Sequence, residues 1–150
     1  MARTYRLGIT TRAVNWLFRW LTQLGLGARY RHILTVQGRK SGRLRSTPED
    51  VMTHAGHRWL VAPYGVTNWV WNARAAGVVQ LRRGRRSERL RVVEVGPEQA
   101  VPVLRTYLHE VAVTRAYFDV TVDSPDEAFV AEAPRHPVFR VIERTSLEQL

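Results

Sequence analysis

Alternation of apolar and polar residues, interrupted by glycine-containing turns, constrains the fold of this chain most. From residue 31 onward the side chains alternate with a period of two, and short turns separate the alternating runs. Such runs are typical of antiparallel strands that bury one face. The predicted strands are His32–Gln37, Leu44–Thr53, His57–Ala62, Val78–Arg83, Arg89–Val95 and Val138–Arg144.

The segments between these strands are predicted as tight turns or helices. Turns are expected at Gly38–Gly42, at His54–Gly56 and around Gly84. Pro48 lies inside the second strand, where it indicates an edge or a bulge, because proline cannot donate to a strand ladder. The predicted helices are Thr11–Leu26, Trp69–Ala76 (capped by Thr67 or Asn68 and ended by Gly77), Pro97–Glu110, and a last one that opens with a capping box at Ser124–Glu127 and runs to about Ala133.

Helices between and around antiparallel hairpins predict an α+β protein. Closing six antiparallel strands into a small barrel removes the exposed sheet edges, so a barrel core is expected. A length of 150 residues fits one domain. Within it, a helical N-terminal region (1–27) precedes the barrel (31–144).

The N-terminal helix carries an apolar stripe with two interpretations. The stripe consists of Val14, Leu17, Phe18, Leu21 and Leu24. It can pack on the protein's own sheet, or it can lie on an anionic membrane surface with Trp16, Trp20 and neighbouring arginines at its border. There is no secretory signal and no apolar run near the ~20 residues that span a bilayer. A cytoplasmic location is therefore expected, with peripheral attachment to the inner membrane face as the alternative.

The charge of the chain predicts an anionic partner. The formal net charge is +10, and Lys40 is the one lysine among 23 basic residues. Nucleic acid, anionic lipid and a phosphorylated small molecule all satisfy such a surplus. The absence of cysteine excludes disulfides and thiolate nucleophiles. The five histidines are scattered, so no metal site is predicted.

The segment Gly38–Pro48 contains the sharpest motif, Gly-Arg-Lys-Ser-Gly followed by Arg-Leu-Arg-Ser-Thr-Pro. Its glycines permit positive φ angles and expose backbone N–H groups, which can form an anion-binding nest. Four cations and three hydroxyls lie within the same stretch, and charge-assisted bonds from such groups hold phosphate. A solvated basic hairpin turn is the alternative. We call Gly38–Gly42 the phosphate turn.

The chain resembles the deazaflavin-dependent nitroreductase and quinone reductase family. The resemblance rests on the phosphate-turn motif together with two later blocks, Trp-Leu-Val-Ala-Pro-Tyr-Gly at 59–65 and Asn-Trp-Val-Trp-Asn-Ala-Arg at 68–74. It covers residues 12–144 and is strongest between 31 and 95. It implies a split β-barrel like that of FMN-binding proteins, and a reductase that uses coenzyme F420.

The resemblance also implies which residues contact the cofactor. Residues near the phosphate turn would hold the phosphate and the start of the tail, and the segment from Ala62 to Thr67 would lie along the deazaflavin ring. The implied cofactor-binding residues are Arg39, Lys40, Ser41, Arg45, Ser46, Thr47, Pro48, Ala62, Pro63, Tyr64, Gly65, Val66, Thr67, Trp69, Asn72 and Arg74.

The resemblance further implies two tyrosines as candidate catalytic residues, because related enzymes place tyrosines near the substrate. Tyr117 is the first candidate for donating to or orienting the reduced acceptor, and Tyr64 is the second. Quinones, nitroaromatics and enones are the expected acceptors. Two residues depart from the family pattern: Glu49 replaces an apolar residue and would be costly if buried beside a polyanion, and Trp71 replaces a basic residue or histidine and could reshape the substrate side.

Other functions stay open on the sequence alone. A split-barrel enzyme that uses FMN is one alternative, since FMN also carries a phosphate. A non-catalytic binder of F420, anionic lipid or nucleic acid is another. Nucleic acid is not expected, because the basic residues are spread over turns without an aromatic-rich strand between them. A homodimer also stays open.

Overall fold

The computed structural model describes residues 12–17 and 31–143. Six strands are present there: β1 Arg31–Gln37, β2 Leu44–His54, β3 His57–Val61, β4 Val78–Arg83, β5 Arg86–Glu94 and β6 Val138–Ile142. Four α-helices accompany them: α1 at residues 12–17, α2 Asn68–Ala76, α3 Pro97–Glu110 and α4 Asp126–Glu132. Short 3₁₀ helices cover Ala112–Tyr117 and Ala133–Arg135.

The strands close into an antiparallel barrel in the order β1-β2-β3-β6-β5-β4. The predicted barrel and its α+β class are therefore confirmed. β6 arrives from the end of the chain and closes the barrel between β3 and β5. This long-range pairing removes the last open edge of the sheet.

Turn chemistry explains the tight hairpins. Ala55 and Gly56 both have positive φ angles, 52° and 76°, which is the backbone of a two-residue hairpin turn. Pro48 lies in the half of β2 that pairs with β1 alone, because pairing with β3 begins at Val51. The β1–β2 register runs through Pro48 without a bulge, so the edge interpretation is the right one.

The alternation of side chains builds two separate cores. In β3, Leu60 points into the barrel, whereas Trp59 and Val61 face the opposite side. The inner core also contains Leu34 and Phe139. The outer core is formed where α3, α4 and the 3₁₀ segments cover one side of the barrel. Burial of both strand faces thus follows from the helices that the sequence predicts.

Two local predictions differ from the structure, and a third lies mostly outside the described residues. β5 begins at Arg86, three residues before the predicted start, because the short turn at Gly84 lets Arg83 pair with Arg86. The capping box is wrong: the Ser124 hydroxyl accepts from the N–H of Thr121 (2.9 Å), and α4 begins without a side-chain cap. Most of the predicted helix Thr11–Leu26 lies outside the described residues.

Candidate functional site

A large cavity opens beside the β1–β2 hairpin. Its volume is about 1080 Å³, at the upper end of the ~300–1,000 Å³ that small-molecule sites commonly have. The β1–β2 hairpin and the start of α2 supply one wall, and the Ala112–Tyr117 segment supplies another. Residues of α1 also reach the cavity through Val14 and Asn15.

The phosphate turn is closed by its own backbone. The N–H of Gly38 donates to the carbonyl of Arg43 at 2.7 Å, and the N–H of Gly42 donates to the carbonyl of Gly38 at 2.9 Å. Gly42 has a φ of +72°, which an L side chain rarely adopts. A Cβ on Gly38 would lie 3.1 Å from the Arg43 carbonyl oxygen. The two glycines therefore allow a turn this tight at the mouth of the cavity.

Three basic side chains at or near the phosphate turn are not neutralised by an acidic partner in the described part of the chain. Among the described residues, Lys40, Arg43 and Arg45 form no ion pair. Lys40 and Arg45 line the cavity. Elsewhere in the barrel, arginines such as Arg58 and Arg74 are neutralised by glutamates at 2.6–2.9 Å. Unneutralised cations on a cavity wall favour an anionic ligand at that end.

Asn72 ties the phosphate turn to α2. Its buried side-chain oxygen accepts from the backbone N–H of Arg39 at 3.0 Å and from the Arg39 guanidinium at 2.9 Å. The amide oxygen of Asn72 carries no formal charge, so it does not cancel the positive charge of Arg39. The position of the turn is therefore set by a contact between residues 33 positions apart in the chain.

The strand end at Ala62 is fixed from the far side by the residues before β6. The N–H of Ala62 donates to the carbonyl of Pro137 at 2.9 Å, and His136 Nδ1 lies 3.3 Å from the carbonyl oxygen of Ala62. His136 Nε2 lies 2.9 Å from Glu132, and its ring stacks on Phe118. Burial lowers the pKa of His136, although Glu132 opposes the shift. This packing holds Ala62 rigidly at the cavity wall.

Two adjacent carboxyl groups line the cavity beyond the turn. Asp50 is buried and accepts from Arg31 Nε at 2.7 Å, across the β1–β2 pair. Glu49 is 8% exposed. Burial, and then the charge of Asp50, raise the pKa of Glu49 well above its usual range, whereas Arg31 and the Trp69 indole oppose the shift. This part of the cavity is acidic, in contrast to the basic turn.

Three tyrosines, Tyr64, Tyr107 and Tyr117, also line the cavity. The rings of Tyr64 and Tyr117 meet edge to face with centroids 4.9 Å apart. Burial raises the pKa of Tyr107 well above its usual range, with further contributions from Asp50 and Glu49, so its hydroxyl stays protonated. The two candidate catalytic tyrosines are therefore neighbours, although 53 positions separate them in the chain.

Most residues singled out from the sequence meet at this cavity. The predicted site residues that line it are Arg39, Lys40, Ser41, Arg45, Ser46, Thr47, Pro48, Ala62, Pro63, Tyr64, Gly65, Thr67, Trp69, Asn72 and Tyr117. Their roles toward a ligand stay predictions.

Two of the predicted site residues, and one departure from the family pattern, lie elsewhere. Arg74 is not part of the cavity wall, because its guanidinium forms two bonds to Glu94 and covers the Trp71 ring at 5.0 Å. Val66 is exposed outside the cavity lining. Trp71 is 48% exposed and also lies outside the lining.

Sequence reasoning missed several residues of the wall. Arg31, Asp50, Tyr107 and Thr114 all line the cavity. The turn at Gly38–Gly42 fixes the hairpin register, which places Arg31 opposite Asp50, so this ion pair could have been found. Tyr107 and Thr114 carry no such signal, because only tertiary packing brings α3 and the 3₁₀ helix to the cavity.

Neither a metal cluster nor a membrane-spanning helix is found in the described part of the chain. No three His, Asp or Glu side chains of residues 12–17 and 31–143 are grouped to hold a metal ion. No helix within those ranges is long and apolar enough to cross a bilayer.

Comparison with known proteins gives one family match and several structural likenesses. Residues 11–127 match the family described as F420H(2)-dependent quinone reductase. No curated protein matches the chain. A solved F420-H2 dependent reductase (FDR-A) is 25% identical, over 76% of this chain and 95% of that one, with a TM-score of 0.48.

Two further solved structures share the fold. One, described as a domain-swapped dimer, is 17% identical over 89% of this chain and 96% of its own, with a TM-score of 0.54. The other is a NimC/NimA family protein from Clostridium acetobutylicum, 12% identical over 90% of this chain and 87% of its own, with a TM-score of 0.50. These likenesses support the split β-barrel and no more.

Proposed function

Because the chain belongs to the F420H(2)-dependent quinone reductase family, we propose that it reduces a neutral acceptor, first of all a quinone, held beside Tyr64 and Tyr117. The protein is an F420-dependent oxidoreductase, and coenzyme F420 is its cofactor. One observation carries the choice of acceptor site: the cavity has unneutralised cations at one end and carboxyl and aromatic side chains beyond them. Nitroaromatics and enones are the other candidate acceptors.

The donor groups of the phosphate turn and of the adjoining start of β2 fit a coenzyme that carries a phosphate and carboxylates. Lys40 and Arg45 offer charge without an ion-pair partner among the described residues. The Ser41 oxygen accepts from the N–H of Arg43 at 3.2 Å, which leaves its own hydrogen free to donate. These residues and Arg39 would hold the anionic part of F420, because charge-assisted bonds are the strong ones for phosphate.

The remaining wall would position the ring and the acceptor. Ala62, Gly65 and Trp69 would lie along the deazaflavin, and the packing behind Ala62 keeps that wall fixed. When bound, reduced F420 supplies a hydride to the acceptor. Tyr117 and Tyr64 would orient the acceptor through their hydroxyls, and the enclosing side chains exclude water.

Binding followed by turnover tests the proposed function. F420 and then FMN are titrated while tryptophan fluorescence is followed, since Trp69 lines the cavity. We expect F420 to quench the fluorescence with higher affinity than FMN. Neutral benzoquinone should then oxidise the reduced coenzyme faster than its sulfonate, because placing the sulfonate among the aromatic side chains costs the hydration of its charge. Binding of FMN alone, or faster reduction of the sulfonate, would contradict the proposal.

Replacing Tyr117 by phenylalanine tests the acceptor site alone. The variant removes one hydroxyl and leaves the ring contact with Tyr64 in place. We expect kcat/KM for benzoquinone to fall about 2–10-fold, as the loss of one ~0.5–1.5 kcal/mol hydrogen bond implies. F420 affinity should stay unchanged. A loss of F420 affinity with unaltered acceptor kinetics would assign Tyr117 to the cofactor instead.

Substitution of Asn72 tests the tether between the phosphate turn and α2. Asn72→Ala leaves two Arg39 donors without their acceptor. We expect a stability loss of about 1–3 kcal/mol and weaker F420 binding in the same titration. Asn72→Asp keeps the acceptor oxygen but neutralises Arg39, so affinity should fall while the melting temperature is largely kept. Wild-type affinity in Asn72→Ala would show that the turn needs no tether.

A further inference from the structure

Glu49 is a buried acid of the cavity wall that the proposed function does not yet use. Its side chain lines the cavity and is largely buried. No ion pair to it is found among the described residues, whereas Asp50 beside it is held by Arg31 at 2.7 Å. A buried carboxyl without a cation of its own favours the protonated form.

Glu49 lies some distance from the anion-binding end of the cavity, by which we mean the wall formed by the phosphate turn and Arg45. Glu49 and Arg45 lie on the same strand, four residues apart. At a rise of about 3.3 Å per residue, that spacing is roughly 13 Å. If the phosphate of the coenzyme is held at the turn, Glu49 therefore lies away from it, in the part of the cavity where the acceptor is expected.

A shared cavity connects Glu49 to the acceptor end. Glu49, Asp50, Tyr64 and Tyr107 all line the same cavity. Tyr64 in turn contacts Tyr117 edge to face at 4.9 Å. The acid and the two candidate acceptor-orienting tyrosines thus belong to one cavity.

We propose that Glu49 is the acid that protonates the acceptor as it is reduced, an inference that rests on the proposed function. The established activity supplies two electrons and one hydrogen as hydride. The second hydrogen comes from Glu49: its O–H bond breaks, and a new O–H bond forms on the reduced acceptor. The quinone becomes a hydroquinone, and Glu49 is left as a carboxylate.

The surroundings of Glu49 drive its return to the acid form. After proton transfer, two adjacent carboxylates share the positive charge of Arg31. Asp50 on the same strand opposes the carboxylate, whereas Arg31 on β1 and the Trp69 indole on α2 favour it. Tyr107 on α3 stays neutral. Burial and Asp50 outweigh the two stabilising partners, so a proton from solvent restores the acid before the next turnover.

The test compares wild type with Glu49→Gln, which keeps the shape of the neutral acid but cannot release a proton. Glu110→Gln, an exposed change on α3, is the matched control. Two measurements need no turnover. At a pH above the ordinary glutamate pKa of about 4.3, infrared spectra should show a protonated carboxyl band in wild type and in the control, but not in Glu49→Gln. F420 affinity should be equal in all three proteins.

Thermal melting as a function of pH gives a further readout. The folded protein retains the Glu49 proton above the ordinary glutamate pKa of about 4.3, where the unfolded chain loses it. Wild type therefore loses stability as pH rises through that region toward the raised folded pKa. Glu49→Gln removes this loss, so its melting temperature relative to wild type should increase with pH.

Turnover then decides the role. We expect kcat for benzoquinone to fall about 100-fold or more in Glu49→Gln, as for loss of a general acid. The wild-type rate should decline at high pH, where Glu49 loses its proton. This decline should be absent in Glu49→Gln. Turnover within threefold of wild type, an unchanged pH profile, or no protonated band in wild type would overturn the proposal. Absence of F420 binding in wild type would instead refute the proposed function. If Glu49→Gln does not fold, Glu49→Asp takes its place, with a shifted carboxyl band and slower turnover expected.

Discussion

Removing two cations from the anion-binding end, in the double variant Lys40→Ala/Arg45→Ala, is expected to weaken F420 binding about a hundredfold or more. Each side chain lines the cavity and forms no ion pair with a described residue, so its whole charge is available to the ligand. A bond to a charged group contributes about 1.5–3 kcal/mol, and 1.4 kcal/mol corresponds to tenfold in affinity. Titration by tryptophan fluorescence measures the change.

The matched control for this variant is Arg89→Ala/Arg91→Ala. It removes the same net charge from exposed positions on β5 that do not line the cavity. We expect its F420 affinity to stay within about threefold of wild type at 0.15 M salt, since exposed charges are screened beyond ~8 Å. Equal losses in the two double variants would mean that net charge, rather than the turn, holds the coenzyme.

Substituting alanine for Phe139 is expected to produce the largest loss of stability. Phe139 is 1% exposed inside the barrel, and its ring lies 5.7 Å from that of Trp69. Phe→Ala changes in a core cost about 3–5 kcal/mol, which corresponds to a fall in melting temperature of roughly 6–20 °C at this chain length. The variant also removes the ring that packs against Trp69. Because Trp69 lines the cavity, F420 affinity should fall below that of wild type.

Val93→Ala is the control for the barrel. Val93 is 51% exposed on β5 and pairs with Arg140 of β6, next to Phe139. Its truncation should cost less than about 1 kcal/mol, the range of strand propensities, and leave F420 affinity unchanged. Similar melting temperatures for Phe139→Ala and Val93→Ala would show that the barrel interior repacks around the lost ring.

The sequence predicted what depends on near neighbours in the chain. Alternation with a period of two fixed the strands, and glycine marked the turns at Gly38–Gly42, His54–Gly56 and Gly84, so the hairpins follow from local rules. The Gly38–Pro48 motif belongs to this class, because its glycines and cations lie within eleven residues. The motif blocks that carry the family resemblance are also contiguous.

A local pattern does not show which partner a side chain takes in the folded protein. Arg74 is close in sequence to Asn72, which lines the cavity. However, the Arg74 guanidinium forms two bonds to Glu94 of β5 and is not part of the cavity wall. Ser124 has the spacing of a capping residue, yet its hydroxyl bonds to the N–H of Thr121. In both cases the side chain bonds to a partner that the local sequence pattern does not single out.

By itself, then, the sequence determined the strands, the hairpin turns, the basic motif at Gly38–Pro48 and the family, because each depends on residues close together along the chain. The tertiary structure decided which charges remain available and which are cancelled. It also brought Glu49, Tyr64, Tyr107 and Tyr117 to one cavity from four separate segments. The protonation of a carboxyl depends on its burial and on its neighbours in space, so the chemistry of that end of the cavity exists only in the folded barrel.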